Sequence, residues 1–137
     1  MNDLTQARKL IKECRETQNP YLDLGKCGIT DLGELPELFE CTHLETLILG
    51  THWRDGIKWV KSGNNGENNK ISLIPDEISK LKKLTNLFLD ANQISDIRFL
   101  ANLTELQTLD LANNQIKSPL RKVPLDIPQH FLTYFKQ

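Results

Sequence analysis

The chain has 137 residues, of which 39% are hydrophobic and 26% charged, with a formal net charge of −1. That is the size and usage of one globular domain, too apolar for disorder and without the surplus of positive charge that holds a nucleic acid. No apolar run is long enough to suggest a membrane span, and the three cysteines, with no C-x-x-C spacing, read as small buried apolar residues of a reducing compartment.

In residues 1–19, Asn2 or Asp3 can cap a helix that carries Leu4, Ala7, Leu10, Ile11 and Cys14 on one stripe. Arg8, Lys9, Lys12, Glu13, Arg15 and Glu16 fall mostly on the other side. Gln18-Asn19-Pro20 stops the helix, because proline disfavours the helical backbone of the residue before it. With charges alternating through this segment there is no secretory h-region, so a cytoplasmic protein is expected.

Next come Tyr21-Leu22-Asp23-Leu24, Cys27 and Ile29, then Leu32, Leu35 and Leu38 at intervals of three. Leu44, Leu47 and Leu49 start the pattern again, but it breaks at residues 51–68 and resumes only at Asn69 and Ile71. Counted from His52 to Asn69, 17 residues have been inserted. The insertion holds both tryptophans, Trp53 and Trp59, which either fold it back onto the edge of the repeats as a small satellite core or present it for binding, ahead of a Gly- and Asn-rich stretch that reads as a flexible loop.

The pattern is clearest in Leu84, Leu87, Leu89, Asn92 and Ile94, which return 22 residues later as Leu106, Leu109, Leu111, Asn114 and Ile116. Leucines two apart point to one face of a strand, and apolar residues three apart afterwards suit a 3₁₀ return across the back. An inward asparagine at the strand exit can bond backbone groups that no neighbouring strand reaches, so stacked copies should build an asparagine ladder. Past Ile116 the periodicity fails at Pro119. A last segment with Phe131, Leu132 and Phe135 on one face then reads as a short helix led in by Pro128.

The string L-x-x-L-x-L-x-x-N-x-I resembles the leucine-rich repeat. The resemblance implies an α/β fold, a short solenoid of about four repeats with a parallel β-sheet on its concave face and a capping helix at each end. One domain spans residues 1–137: an amino-terminal cap over 1–19, repeats over 20–116 with the insertion near 51–68, and a carboxy-terminal cap over 117–137. The implied function is recognition of a protein partner, by a chain expected to be a monomer. The charged first helix, the Leu22-Asp23-Leu24 opening and the Ile127-Pro128 tail also resemble the repeat region that precedes the GTPase domain of bacterial Roco-type signalling proteins. That implies an alternative role as a regulatory or structural segment of a larger assembly, docking through its caps.

The residues between the strand leucines, Asp23, Ile48, Phe88 and Asp110, point away from the core. Ile48 and Phe88 lie on adjacent strands and are expected to form an exposed apolar patch, rimmed by Tyr21, Asn86 and Asp90 and flanked by Trp53 and Trp59 of the insertion. These nine residues are the candidate partner-binding set. No catalytic residue, cofactor or metal ligand is expected: there is no G-x-x-x-x-G-K-[ST] phosphate cradle, and His43, His52 and His130 have no paired acidic or cysteine spacing.

Overall fold

A computed structural model describes residues 3–55 and 58–116, so the expected carboxy-terminal cap lies outside the described residues. The amino-terminal helix α1 spans Thr5–Thr17, with Ala7, Ile11 and Cys14 buried on its inner stripe. Its N-cap residue is Leu4, without a side-chain cap bond, rather than Asn2 or Asp3, and Asp3 Oδ1 just ahead accepts the Thr5 amide at 2.9 Å. It ends where Gln18 takes a left-handed conformation and returns its amide to the Cys14 carbonyl. The helix packs against β1 (Tyr21–Asp23), an edge strand of the sheet that follows.

Four three-residue strands form that sheet: β1, β2 (Thr46–Ile48), β5 (Asn86–Phe88) and β6 (Thr108–Asp110), all parallel and in this order. The register puts Leu22, Leu47, Leu87 and Leu109 side by side on the inner face. Leu24, Leu49, Leu89 and Leu111 stand beside them in the next inner column, fully buried. Behind them the chain returns through 3₁₀ turns at Leu32–Glu34, Pro36–Glu40, Asp76–Lys80 and Arg98–Asn102, where the three-residue spacing of the apolar positions matches three residues per turn. Leu38, Ile78 and Leu100 close the core from this side. Cys14, Cys27 and Cys41 are free and buried.

The ladder runs through all three asparagines. Asn92 Oδ1 accepts the Ile71 amide at 2.9 Å while its Nδ2 donates to the Leu49 and Leu89 carbonyls, both at 3.1 Å. Asn114 repeats this one turn on, accepting from Ile94 at 2.9 Å and donating to Leu89 at 2.8 Å and Leu111 at 3.1 Å. Asn69 takes two amides where the others take one: Oδ1 accepts from Cys27 and Ile29 at 3.2 and 2.7 Å, and Nδ2 gives to Leu24 and Leu49 at 2.9 Å each. The insertion therefore leaves the core side of its repeat intact. It does alter the approach to the ladder. Lys26, Ala91 and Asn113, each just before a ladder position, are left-handed, with φ of 52, 56 and 59°. Asn68, reached from the insertion, is not among these positive-φ residues.

Candidate functional site on the outer face of the sheet

Among its described residues, the insertion forms the two strands of a β-hairpin. β3 (His52–Asp55) and β4 (Lys58–Lys61) pair antiparallel, His52 opposite Lys61 and Arg54 opposite Trp59. Its course across the sheet follows from where its two ends are held.

The incoming end is held by Asp90. Its Oδ2 accepts the Thr51 hydroxyl at 2.6 Å and the Thr51 amide at 3.1 Å. His52 follows, with Nδ1 3.4 Å from Asp90 Oδ2 and Nε2 3.7 Å from Asp110 Oδ2. The outgoing end is held by Asp23, which accepts the Ser62 hydroxyl at 2.8 Å and the Gly63 amide at 2.8 Å. Asn64 Nδ2 completes this anchor, donating to the Asp23 and Gly25 carbonyls at 3.0 and 2.9 Å. The Gly- and Asn-rich stretch that the sequence reads as flexible is thus tied down at its first three residues.

Asp23 and Asp110 are the two ends of the outward column Asp23–Ile48–Phe88–Asp110. With the outgoing end tied to Asp23 and His52 of the incoming end beside Asp110, Ile48 and Phe88 lie beneath the hairpin, and each is only 1% exposed. The expected open apolar patch is therefore corrected: the pair is apolar because it is a second small core, separate from the main one. The same holds for part of the rim. Asp90 and Asp110 are buried, and Asp23 and Asp90 spend their carboxylates on the hairpin.

Glycine makes the crossing possible. Two residues beyond the outward column, Gly25 and Gly50 stand side by side with Asp90. A Cβ on Gly50 would overlap the Asp90 carboxylate, and one on Gly25 would strike the Gly50 carbonyl and the Ser62 side chain.

What remains open on this side is aromatic. Tyr21 and Trp59 are each 51% exposed. Tyr21 packs on Trp53 with ring centroids 5.8 Å apart, which carries the hairpin over to β1. Trp59 lies edge-on to His52 at 4.9 Å, with the Arg54 guanidinium carbon 5.8 Å from its ring centre. Trp53 and Asn86 are half-buried, Asn86 donating to Thr46 Oγ1 at 3.1 Å.

Of the nine residues expected from the sequence, the structure brings all to this face but leaves only Tyr21, Trp53, Trp59 and Asn86 with their side chains clear of the hairpin's anchors and of the apolar pair beneath it. Sequence reasoning missed Thr51, His52, Ser62 and Asn64, whose partners lie about 40 residues away. The one available signal was the coincidence of Gly25 and Gly50 in one repeat column.

A parallel sheet of short strands, with 3₁₀ returns and an asparagine ladder, defines a repeat protein. Residues 83–122 match the family model described as Leucine Rich repeats (2 copies), and this part of the chain is built of leucine-rich repeats. No curated protein matches it. Domains of this family generally mediate protein–protein interaction. Among the described residues, no helix is long and apolar enough to cross a membrane.

Proposed function

We propose that the chain is a protein-recognition module whose contact surface is the hairpin and the sheet margin beside it, centred on Trp59 and Tyr21 and extended by Trp53 and Asn86. The observation that carries this reading is the exposure of two large aromatic side chains, 51% each, on the same side of the molecule. Both are held by neighbours, so little side-chain entropy is lost when a partner covers them, and aromatic anchors of this kind dominate binding energy at protein interfaces. Ile48, Phe88, Asp23, Asp90 and Asp110 act beneath that surface, fixing the hairpin. A net charge of −1 favours a protein over a polyanion as the partner.

The test starts from the intact chain immobilised in native lysate, with the captured protein purified and its affinity measured. Tyr21→Ser combined with Trp59→Ser should weaken binding at least tenfold, about 1.4 kcal/mol, with little change in thermal midpoint. Lys9→Glu with Lys12→Glu, on the solvent side of α1, should leave it unchanged. The reverse outcome would favour the docking segment of a larger signalling assembly, engaged through its amino-terminal helix.

A further inference from the structure

We propose that His52, Asp90 and Asp110 form a site for a divalent transition-metal ion of the zinc class, which would clasp the hairpin to β6. The three residues come from three separate segments, β3, the exit of β5, and β6. One donor atom from each lies within 4.8 Å of the other two. Both carboxylates are buried, so the site is built into the fold rather than gathered from surface side chains.

The hydrogen bonds decide which imidazole nitrogen is available. The Thr51 hydroxyl gives its proton to Asp90 Oδ2 at 2.6 Å, so the oxygen has only lone pairs to offer His52 Nδ1 at 3.0 Å. In the neutral ring Nδ1 therefore carries the hydrogen, and the Nε2 lone pair faces Asp110 Oδ2 across 3.7 Å. That separation is too long for a hydrogen bond and matches the gap that one ion between the two atoms would span. Zinc binds nitrogen and carboxylate oxygen at roughly 2.0–2.2 Å, so two of its ligands stand about 3–4 Å apart, the spacing seen here. Asp90, with its donor atom within 4.8 Å of the other two, is the third ligand to the same ion, and water fills the remaining positions. A histidine together with two carboxylates suits zinc, manganese or cobalt better than magnesium or calcium, which prefer oxygen alone. Thr51 is then the outer partner that orients the ligating ring.

Titration of the metal-stripped intact chain with Zn²⁺, followed by calorimetry and by tryptophan fluorescence, tests this. One ion per chain is expected, with a fluorescence change because the Trp59 ring is 4.9 Å from His52. His52→Gln and Asp110→Asn should each weaken binding at least tenfold. Cys14→Ser should not, although Cys14 Sγ lies 3.4 Å from His43 Nε2 and is a competing thiol–imidazole pair. Should either variant fail to fold, Co²⁺ absorption of the wild-type chain decides: visible ligand-field bands without a thiolate charge-transfer band support the site. The proposal is overturned by no saturable binding, by binding that survives both variants, by thiolate ligation, or by Mg²⁺ or Ca²⁺ bound as tightly as Zn²⁺.

Discussion

On the inner face of the sheet, Leu22, Leu47, Leu87 and Leu109 occupy one column, each supplied by its own strand and each in register with the leucine of the next. On the outer face the neighbouring column reads Asp23, Ile48, Phe88 and Asp110, four side chains with no common chemistry, closed over by a hairpin that belongs to one repeat alone. The inner face repeats because every strand solves the same packing problem. The outer face diverges because its cover arrives once, from residues 51–68, and each residue below is fitted to the part of the hairpin that crosses it. A solvent-exposed column would tolerate almost any residue, whereas this one needs carboxylates at its ends and apolar bulk at its centre.

The largest effect on that comparison should come from excising residues 51–68 and bridging Gly50 to Asn69 with the one residue an uninterrupted repeat requires. The inner columns and the asparagine ladder stay in place, so unfolding should remain cooperative. Ile48 and Phe88 lose their cover, each forfeiting up to roughly 1.5–3 kcal/mol of burial. Urea denaturation should show a lowered midpoint, and a dye that reports exposed apolar surface should brighten. An unchanged midpoint with no dye binding would mean that the hairpin is not what buries the pair.

A smaller loss is expected from Asn69→Ala, which tests whether the inner face runs unbroken past the insertion. The Cys27 and Ile29 amides and the Leu24 carbonyl lose the partner that Asn69 provides. Buried groups left unsatisfied cost roughly 1–3 kcal/mol. Asn92→Ala should cost a comparable amount, since it too strips an amide and carbonyls inside the core. If denaturation detects the second substitution and not the first, the ladder does not span the break.

The smallest effect concerns the thiols. Burial, helped by the Asp23 charge, pushes Cys27 up to about 11. Burial, helped by the neighbouring Cys14, pushes Cys41 up to about 12. Unfolded cysteine titrates near 8.5–9, so above that pH the unfolded chain releases thiol protons that the folded chain keeps. Stability carried by these thiols is complete below about pH 8.5 and declines as pH rises from there through the folded values. A series of urea midpoints between about pH 8 and pH 10 should fall less steeply in Cys41→Ala than in wild type. Equal slopes would show that Cys41 titrates alike in both states.

The parallel strands, the 3₁₀ returns and the ladder were legible in the sequence because each depends on contacts that recur at a fixed spacing. A leucine two residues from another leucine, or an asparagine three residues past the second of them, has the same neighbours in every repeat, so periodicity alone states its environment. Even Asn69 could be placed this way: the pattern resumes beyond the insertion, and the backbone groups awaiting it are those of the uninterrupted repeats. Alternation likewise marked Ile48 and Phe88 as outward-facing, but facing outward is not the same as being exposed. What lies above an outward side chain depends on where a non-repeating segment lands, and that is set by single contacts between distant residues: Thr51 on Asp90, Ser62 on Asp23, Trp53 on Tyr21. None of these recurs, so no spacing encodes them. Only the tertiary structure could decide between a binding patch and a second core, and make a histidine without a sequence partner the companion of two buried carboxylates.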